Sequence, residues 1–153
     1  MEKTNALRLL EQKKAKYIIH EFANFTNGMD IAIQLNEDPS LCFKTLVTVG
    51  KSKNHYVFLV PVNKELNLKK AAKATNEKYI EMVKAKDLLP LTGYIHGGCS
   101  PIGMKKQFKT FIDISIQNKD KIYLSGGKVG LQIETSLEDL SKVITFTLID
   151  LID

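Results

Sequence analysis

The segment Thr92–Lys106 reads Thr-Gly-Tyr-Ile-His-Gly-Gly-Cys-Ser-Pro-Ile-Gly-Met-Lys-Lys and holds four of the chain's nine glycines, Gly93, Gly97, Gly98 and Gly103. Glycine loses more backbone entropy on folding than any other residue. A cluster therefore marks sharp turns or a backbone that must come close to a bound group. Pro101 removes an amide donor and restricts Ser100 to extended conformations. Lys105 and Lys106 place two positive charges beside the loop. A rigid loop with free N–H groups next to cations suits a phosphate, or a carbonyl oxygen that becomes an oxyanion. An ordinary glycine-rich turn has the same composition.

Other arrangements that carry chemistry are mostly missing. His20, His55 and His96 fall in different elements without metal-ligand spacing, so no metal or cofactor is expected. Cys99 lies three residues after His96, yet nothing marks an orienting partner for a thiol nucleophile. A small buried apolar role for Cys99 is the commoner one. Gly103 is followed by Met-Lys rather than Lys-Ser or Lys-Thr, which rules out a Walker motif. Gly126-Gly127-Lys128-Val129-Gly130 lacks dinucleotide spacing. Lys44 stands inside the apolar run Phe43-Lys44-Thr45-Leu46-Val47; a lysine there points to solvent or lines a pocket.

The elements that must position these residues alternate between helix and strand. Thr4 can cap a helix to about Lys14 with Ala6, Leu9 and Leu10 buried. Tyr17–Phe22 reads as a strand and Asn24–Gly28 as a loop. Asp30 can cap a short helix to Leu35, and Pro39 opens a helical turn. Phe43–Val49 and His55–Val60 form a hairpin, the second strand apolar enough to be central and ended by Pro61. Asn67 caps a helix over Leu68–Ala74, whose Lys69, Lys70 and Lys73 make a solvated face. Tyr79–Met82 is a short strand and Asp87–Leu91 a helical turn. Thr110–Ile114 and Lys121–Ser125 are strands across a turn, and Val129–Glu134 is a third. Ser136 and Asp139 form a capping box for a helix bearing Leu137, Leu140, Val143 and Ile144. Phe146–Asp153 favours a strand. Strands arriving both as hairpins and through helices imply a mixed sheet.

The chain has 153 residues and no linker or repeat, so one domain spanning 1–153 is expected. Its N-terminus has no apolar run to serve as a signal peptide, and no stretch reaches membrane-spanning length. With two unpaired-looking cysteines, Cys42 and Cys99, a cytoplasmic location is expected. A net charge of +5 permits an anionic partner such as RNA without demanding one.

Phe43-Lys44-Thr45-Leu46 together with Gly93-Tyr94-Ile95-His96-Gly97-Gly98-Cys99-Ser100-Pro101-Ile102-Gly103 resembles the YbaK family. These are freestanding bacterial editing proteins that deacylate Cys-tRNA(Pro), in the superfamily of the prolyl-tRNA synthetase insertion domain. Leu68–Ala74 and Ser125–Leu131 extend the resemblance over nearly the whole chain. It implies a mixed α/β (α+β) fold, with a curled, barrel-like mixed β-sheet surrounded by helices. It also implies catalytic roles for Lys44, Gly97, Gly98 and Ser125. Substrate contacts are implied at Phe22, Thr45, Ser100, Pro101, Gly103 and Gln132. Phe22 stands where some members have tyrosine, and Gln132 where some have aspartate.

The resemblance also implies a mechanism: the thiol of the esterified cysteine attacks its own carbonyl, expelling the tRNA as a thiolactone forms. About pH 7, a few per cent of such a thiol is thiolate. The protein then need only orient the substrate and stabilise the oxyanion. Prolyl-tRNA synthetase is the partner that the family suggests, and Cys-tRNA(Cys) a further substrate. Editing of another ester such as Ala-tRNA(Pro) and a non-catalytic tRNA-binding or regulatory module are the alternatives.

Overall fold

The computed structural model describes residues 2–23 and 28–153. Of the expected loop Asn24–Gly28, residues 24–27 lie outside them, and Gly28 opens a helix. Helix α1, Asn5–Gln12, starts where the Thr4 hydroxyl accepts from the Leu7 amide at 3.2 Å. The same hydroxyl donates to the Gly126 carbonyl at 2.5 Å, which pins the helix start to the second glycine turn. Ala6, Leu7 and Leu10 are its buried residues, while Leu9 is only half-buried. Strand β1 is Ile18–Glu21. Helix α2 runs Gly28–Leu35, so Asp30 sits in its first turn instead of capping it. A 3₁₀ turn over Pro39–Leu41 follows, with the Asp38 side chain accepting from the Ser40 amide.

Strands β2, Phe43–Gly50, and β3, His55–Pro61, form the expected antiparallel hairpin. Helix α3, Leu68–Thr75, begins at Asn67, whose side-chain oxygen accepts from the Lys69 and Lys70 amides at 3.0 Å each. Then come β4, Ile80–Met82, and α4, Ala85–Thr92. After the glycine loop come β5, Lys109–Asp113, and β6, Ile122–Ser125. Strand β7, Leu131–Thr135, helix α5, Leu137–Leu140, and β8, Thr147–Ile149, complete the order. The capping box is present: Ser136 Oγ accepts from the Asp139 amide and donates to its carboxylate, each at 3.0 Å. Its helix is shorter than the apolar pattern suggested, since Val143 and Ile144 lie in the turn beyond it.

The strands form two sheets rather than one curled barrel-like sheet. One is antiparallel in the order β1-β7-β6, and the other is mixed in the order β4-β2-β3-β5-β8, with β3-β5 and β5-β8 parallel. Among the described residues a single parallel bridge, between Cys42 and Tyr123, joins them, and no barrel closes. The segments Thr110–Ile114 and Lys121–Ser125 therefore do not pair across their turn. The Asp113 side chain caps a 3₁₀ turn over Ile114–Ile116 by accepting from the Ser115 amide, and buried Ile116 anchors that turn as the chain leaves one sheet for the other.

Both faces of the five-stranded sheet are covered, which explains why β3 is apolar almost throughout. Phe43, Val57, Leu59 and Ile112 pack with α1, Leu124 and Ile133 in the larger core. Phe58, Val60 and Phe111 pack with Ala71 of α3 and Leu151 of the tail in a second. Lys70 is not part of a free cationic face. Its ammonium lies 2.7 Å from Asp150 and also donates to the Ile152 carbonyl, fastening α3 to the tail. Among the described residues no helix is long and apolar enough to cross a membrane.

Candidate functional site

The break between the two sheets leaves part of β2 bare. The Cys42 carbonyl accepts from Val62, and the Gly50 amide donates to Asn54 beyond the end of β3. By the alternation of an antiparallel ladder, the main-chain groups of even-numbered β2 residues thus face β3 and those of odd-numbered ones face the opposite edge. On that edge β6 reaches the chain at Cys42, and β4 covers it from Thr48 to Gly50. The Thr45 N–H and C=O fall in the gap. A cavity of about 440 Å³ opens there, lined by Phe43, Lys44, Thr45 and Leu46 among others.

Side chains alternate along the same strand. Phe43 and Val47 enter the larger core, so Thr45 shares their face, and Lys44 shares the face of Leu46. The Thr45 hydroxyl is buried and has no hydrogen-bond partner among the described residues. Buried polar groups are nearly always paired, so an orphan in a cavity wall suits a ligand. The Lys44 ammonium lies 3.3 Å from Glu65. Lys44 is among the residues that line the cavity.

The glycine loop supplies the facing wall. Thr92 ends α4 with its hydroxyl donating to the Leu88 carbonyl at 2.8 Å and accepting from the Tyr94 amide at 3.0 Å. The Tyr94 hydroxyl donates to the Ile102 carbonyl at 2.6 Å, closing the loop into a ring. Within it the Gly98 amide donates to the Ile95 carbonyl at 3.0 Å. This is a β-turn with Gly97 third, at φ +87°, where a type II turn needs a positive φ. The Gly98 amide is therefore spent on the turn. The Gly97 and Cys99 amides have no acceptor among the described residues, and both residues line the cavity. Ser100 and Pro101 are buried beneath, where Ser100 Oγ accepts from the Ile102 amide at 3.2 Å. Gly103 packs against the Asn5–Ala6 backbone. These three, like Gly98, shape the loop and are not among the cavity's lining residues.

The third wall is the β6–β7 pair. Ser125 and Gln132 stand directly opposite each other, so their side chains share a face, and both line the cavity. Ser125 Oγ accepts from the Gly127 amide at 3.2 Å, which leaves its proton to donate. Gln132 is 7% exposed, and no hydrogen bond engages its carboxamide among the described residues. His20, opposite Gln132 on β1, is turned to Glu134 at 2.9 Å. Phe22 does not line the cavity; its amide donates to the Gly130 carbonyl at 2.8 Å.

Several lining residues carried no sequence signal. The sequence assigns no site role to Ile31, Val62 or Leu88, and reads Cys42 only as an unpaired thiol. Burial, together with the charges of Glu37 and Asp38, pushes the Cys42 thiol up to about 12. Burial pushes the Cys99 thiol up to about 11. Both stay protonated near neutrality, so neither is an activated nucleophile. Among the described residues no group of His, Cys, Asp or Glu is placed to hold a metal ion. The cavity offers one cation, two backbone donors, hydroxyls and a carboxamide. That set can bind and polarise an ester, and among the described residues no hydroxyl or thiol of the lining is hydrogen-bonded to a histidine or carboxylate.

Residues 28–143 match the aminoacyl-tRNA editing domain family. A protein of Enterococcus faecalis (strain ATCC 700802 / V583), named as a candidate Cys-tRNA(Pro)/Cys-tRNA(Cys) deacylase EbsC, is 47% identical over 140 residues, 90% of this chain and 85% of that protein. The crystal structure of a candidate trans-editing enzyme for prolyl tRNA synthetase superposes with a TM-score of 0.87 at 21% identity, covering 100% of this chain and 99% of the other. That of a hypothetical protein, APE2540, does so with a TM-score of 0.89 at 19% identity, covering 98% and 100%. At such identities the two structures speak for the fold.

Proposed function

Because this chain belongs to the aminoacyl-tRNA editing domain family, we propose that it removes cysteine from mischarged Cys-tRNA(Pro), with Cys-tRNA(Cys) as a second substrate. The observation that carries the reading is a cavity rich in ester-binding groups whose own thiols are held protonated. The substrate then supplies the nucleophile. Its thiol sulfur attacks the ester carbonyl, a C–S bond forms, the C–O bond to the terminal ribose breaks, and the thiol proton passes to the departing hydroxyl. The ring contains sulfur, Cβ, Cα and the carbonyl carbon and is strained, so the protein's work is to hold the attack geometry.

The Gly97 and Cys99 amides receive the oxyanion. Lys44 positions the ester or the terminal phosphate, and the Ser125 hydroxyl donates to an ester oxygen. Proline cannot follow this route because it has no thiol. A pocket alone would separate side chains differing by a methylene by only about 1–3 kcal/mol. Basic residues near the loop attract the acceptor end without reading sequence. Recognition of the tRNA body falls to a partner, prolyl-tRNA synthetase.

The test is deacylation of Cys-tRNA(Pro) by the purified protein, with Pro-tRNA(Pro) and Ala-tRNA(Pro) alongside. Release of cysteine alone supports the proposal. Preferential release of alanine replaces it with water-dependent editing, and no release from any ester leaves a binding module.

A further inference from the structure

The electrostatic make-up of the cavity bears on a part of the substrate that the reaction does not consume. Every aminoacyl ester carries an α-amino group, which enters a site either as an ammonium or as an amine. An ammonium stripped of water needs a carboxylate or several well-placed acceptors. Among the described residues the cavity is lined by no aspartate or glutamate, while the lysine Lys44 is on its lining. The remaining segment 24–27, Asn-Phe-Thr-Asn, adds no charge by sequence.

The carboxylates nearby are engaged elsewhere. Glu65 is 93% exposed and sits on Lys44. Glu134, two residues along β7 from Gln132, is 2.9 Å from His20. Glu37 is held by Lys121 at 2.7 Å and Tyr123 at 3.1 Å. Asp30 of α2 has an interaction of its own and does not line the cavity. His96 is the other ionisable side chain on the lining besides the two cysteines, and it is exposed.

Against this background two further polar side chains of the lining are unengaged among the described residues, the Thr45 hydroxyl and Gln132, and only Gln132 is an amide. Gln132 offers a carbonyl oxygen that accepts and an NH₂ that donates. A neutral amine has the complementary set, N–H donors and a lone pair. The Thr45 carbonyl, on the bare stretch of β2, is a second acceptor. The Gly97 and Cys99 amides can only donate, so they suit the ester carbonyl instead.

We infer that the cavity takes the aminoacyl ester with its α-amino group uncharged, received by the Gln132 carboxamide, and that Gln132 thereby selects the protonation state of the substrate. The inference rests on the editing reading above. An α-amino group has a pKa of about 7.7–8.0, so the neutral form is available near neutral pH. Binding then releases a proton whenever the free amine is charged, and affinity falls by up to about tenfold for each pH unit below that pKa.

The test uses two adenosines that the protein cannot deacylate. One carries alanine in amide linkage at the 3′ position; the other carries the propionyl group, which is the same shape without the amine. Calorimetry between pH 6 and pH 9 should show the alanyl compound weakening toward pH 6 while the propionyl compound stays level. The propionyl arm controls for any pH dependence that does not involve the amine. Gln132→Glu should bind the alanyl compound about tenfold or more tighter at pH 6 than the unaltered protein does. Gln132→Met, with its fold checked by circular dichroism, should lose the advantage of the alanyl over the propionyl compound. Equal affinity for the alanyl compound at pH 6 and pH 8 would overturn the inference, as would an unchanged advantage in Gln132→Met. If Cys-tRNA(Pro) is deacylated but the alanyl compound binds without pH dependence or not at all, the inference alone fails. If Cys-tRNA(Pro) is untouched and neither adenosine binds, the editing reading fails with it.

Discussion

The Lys44 ammonium lies 3.3 Å from Glu65 Oε1, although the glutamate is 93% exposed and the lysine side chain only 26%. Water competes for such a pair, and exposed pairs contribute about 0–1 kcal/mol to stability. A partner held so loosely suits the proposed role of Lys44, in which it exchanges Glu65 for a substrate oxygen. Lys44→Ala should lower deacylation of Cys-tRNA(Pro) by about tenfold or more while shifting the melting temperature little. Glu65→Ala should leave turnover close to that of the parent. Single-turnover assays and a melting curve check both; near-normal turnover by Lys44→Ala would remove it from the site.

Cys99 lines the cavity as a protonated thiol. Cys99→Ala should keep most of the activity, and mass spectrometry of the protein during turnover should find no adduct on that residue. A covalent cysteinyl adduct would restore an enzyme-thiol mechanism.

The substrate's own thiol is the next point of attack. Ser-tRNA(Pro) has nearly the same shape, but an alcohol without a general base is a far poorer nucleophile. It should compete with Cys-tRNA(Pro) for the cavity and turn over far more slowly. Comparable rates for the two esters would point to an activated water.

Neighbouring glycines of the loop should respond differently to alanine. A Cβ on Gly98 would stand 2.8 Å from the Lys128 and Val129 backbone, which cannot swing aside, whereas one on Gly97 would lie 3.5 Å from a Val129 methyl. Gly97→Ala has the strain of a positive φ to bear, about 1–2 kcal/mol. Gly98→Ala must displace main chain. Chemical denaturation should find Gly98→Ala the less stable, and Gly97→Ala folded but with weakened turnover.

Asp139 joins the start of α5 to the chain entering β1. Its carboxylate accepts from the Lys16 amide at 3.0 Å and from Lys142 at 2.9 Å. The Lys16 amide first, then Lys142 and Ser136, hold the carboxyl down at about 2. A depressed folded-state pKa stabilises the protein above the unfolded value, near 4, and that contribution is lost as pH falls toward 2. Asp139→Asn should lower stability by about 1–3 kcal/mol at pH 7 and flatten its decline between pH 4 and pH 2. Melting temperatures of both proteins across that range would show it; parallel curves would argue against the assignment.

What the sequence reveals about this fold is mostly local. Thr4, Asn67 and the Ser136–Asp139 box announce their helix starts because a cap is a contact between near neighbours. The β2–β3 hairpin is legible for the same reason. The separation of β5 from β6 is not, since it depends on β5 finding β3 and β6 finding β7. Lys44, Thr45, Gly97, Ser125 and Gln132 do meet around one cavity. Which amide of the loop is occupied is not legible in the sequence, because only the hydrogen bond from Gly98 to Ile95 shows it. Ile31, Val62 and Leu88 become wall residues only when the sheets part, and no local pattern encodes that.

The pairing of β1 with β7 also sets a timetable. Ile18–Glu21 leaves the ribosome early, yet its partner Leu131–Glu134 is among the later segments to be made. At about 5–20 residues per second, the first strand waits seconds without a neighbour. Meanwhile β2 and β3 can pair as soon as both have emerged. The Lys44 strand is therefore made well before the Gln132 strand, so a nascent chain carries the lysine before the opposite wall of its cavity exists.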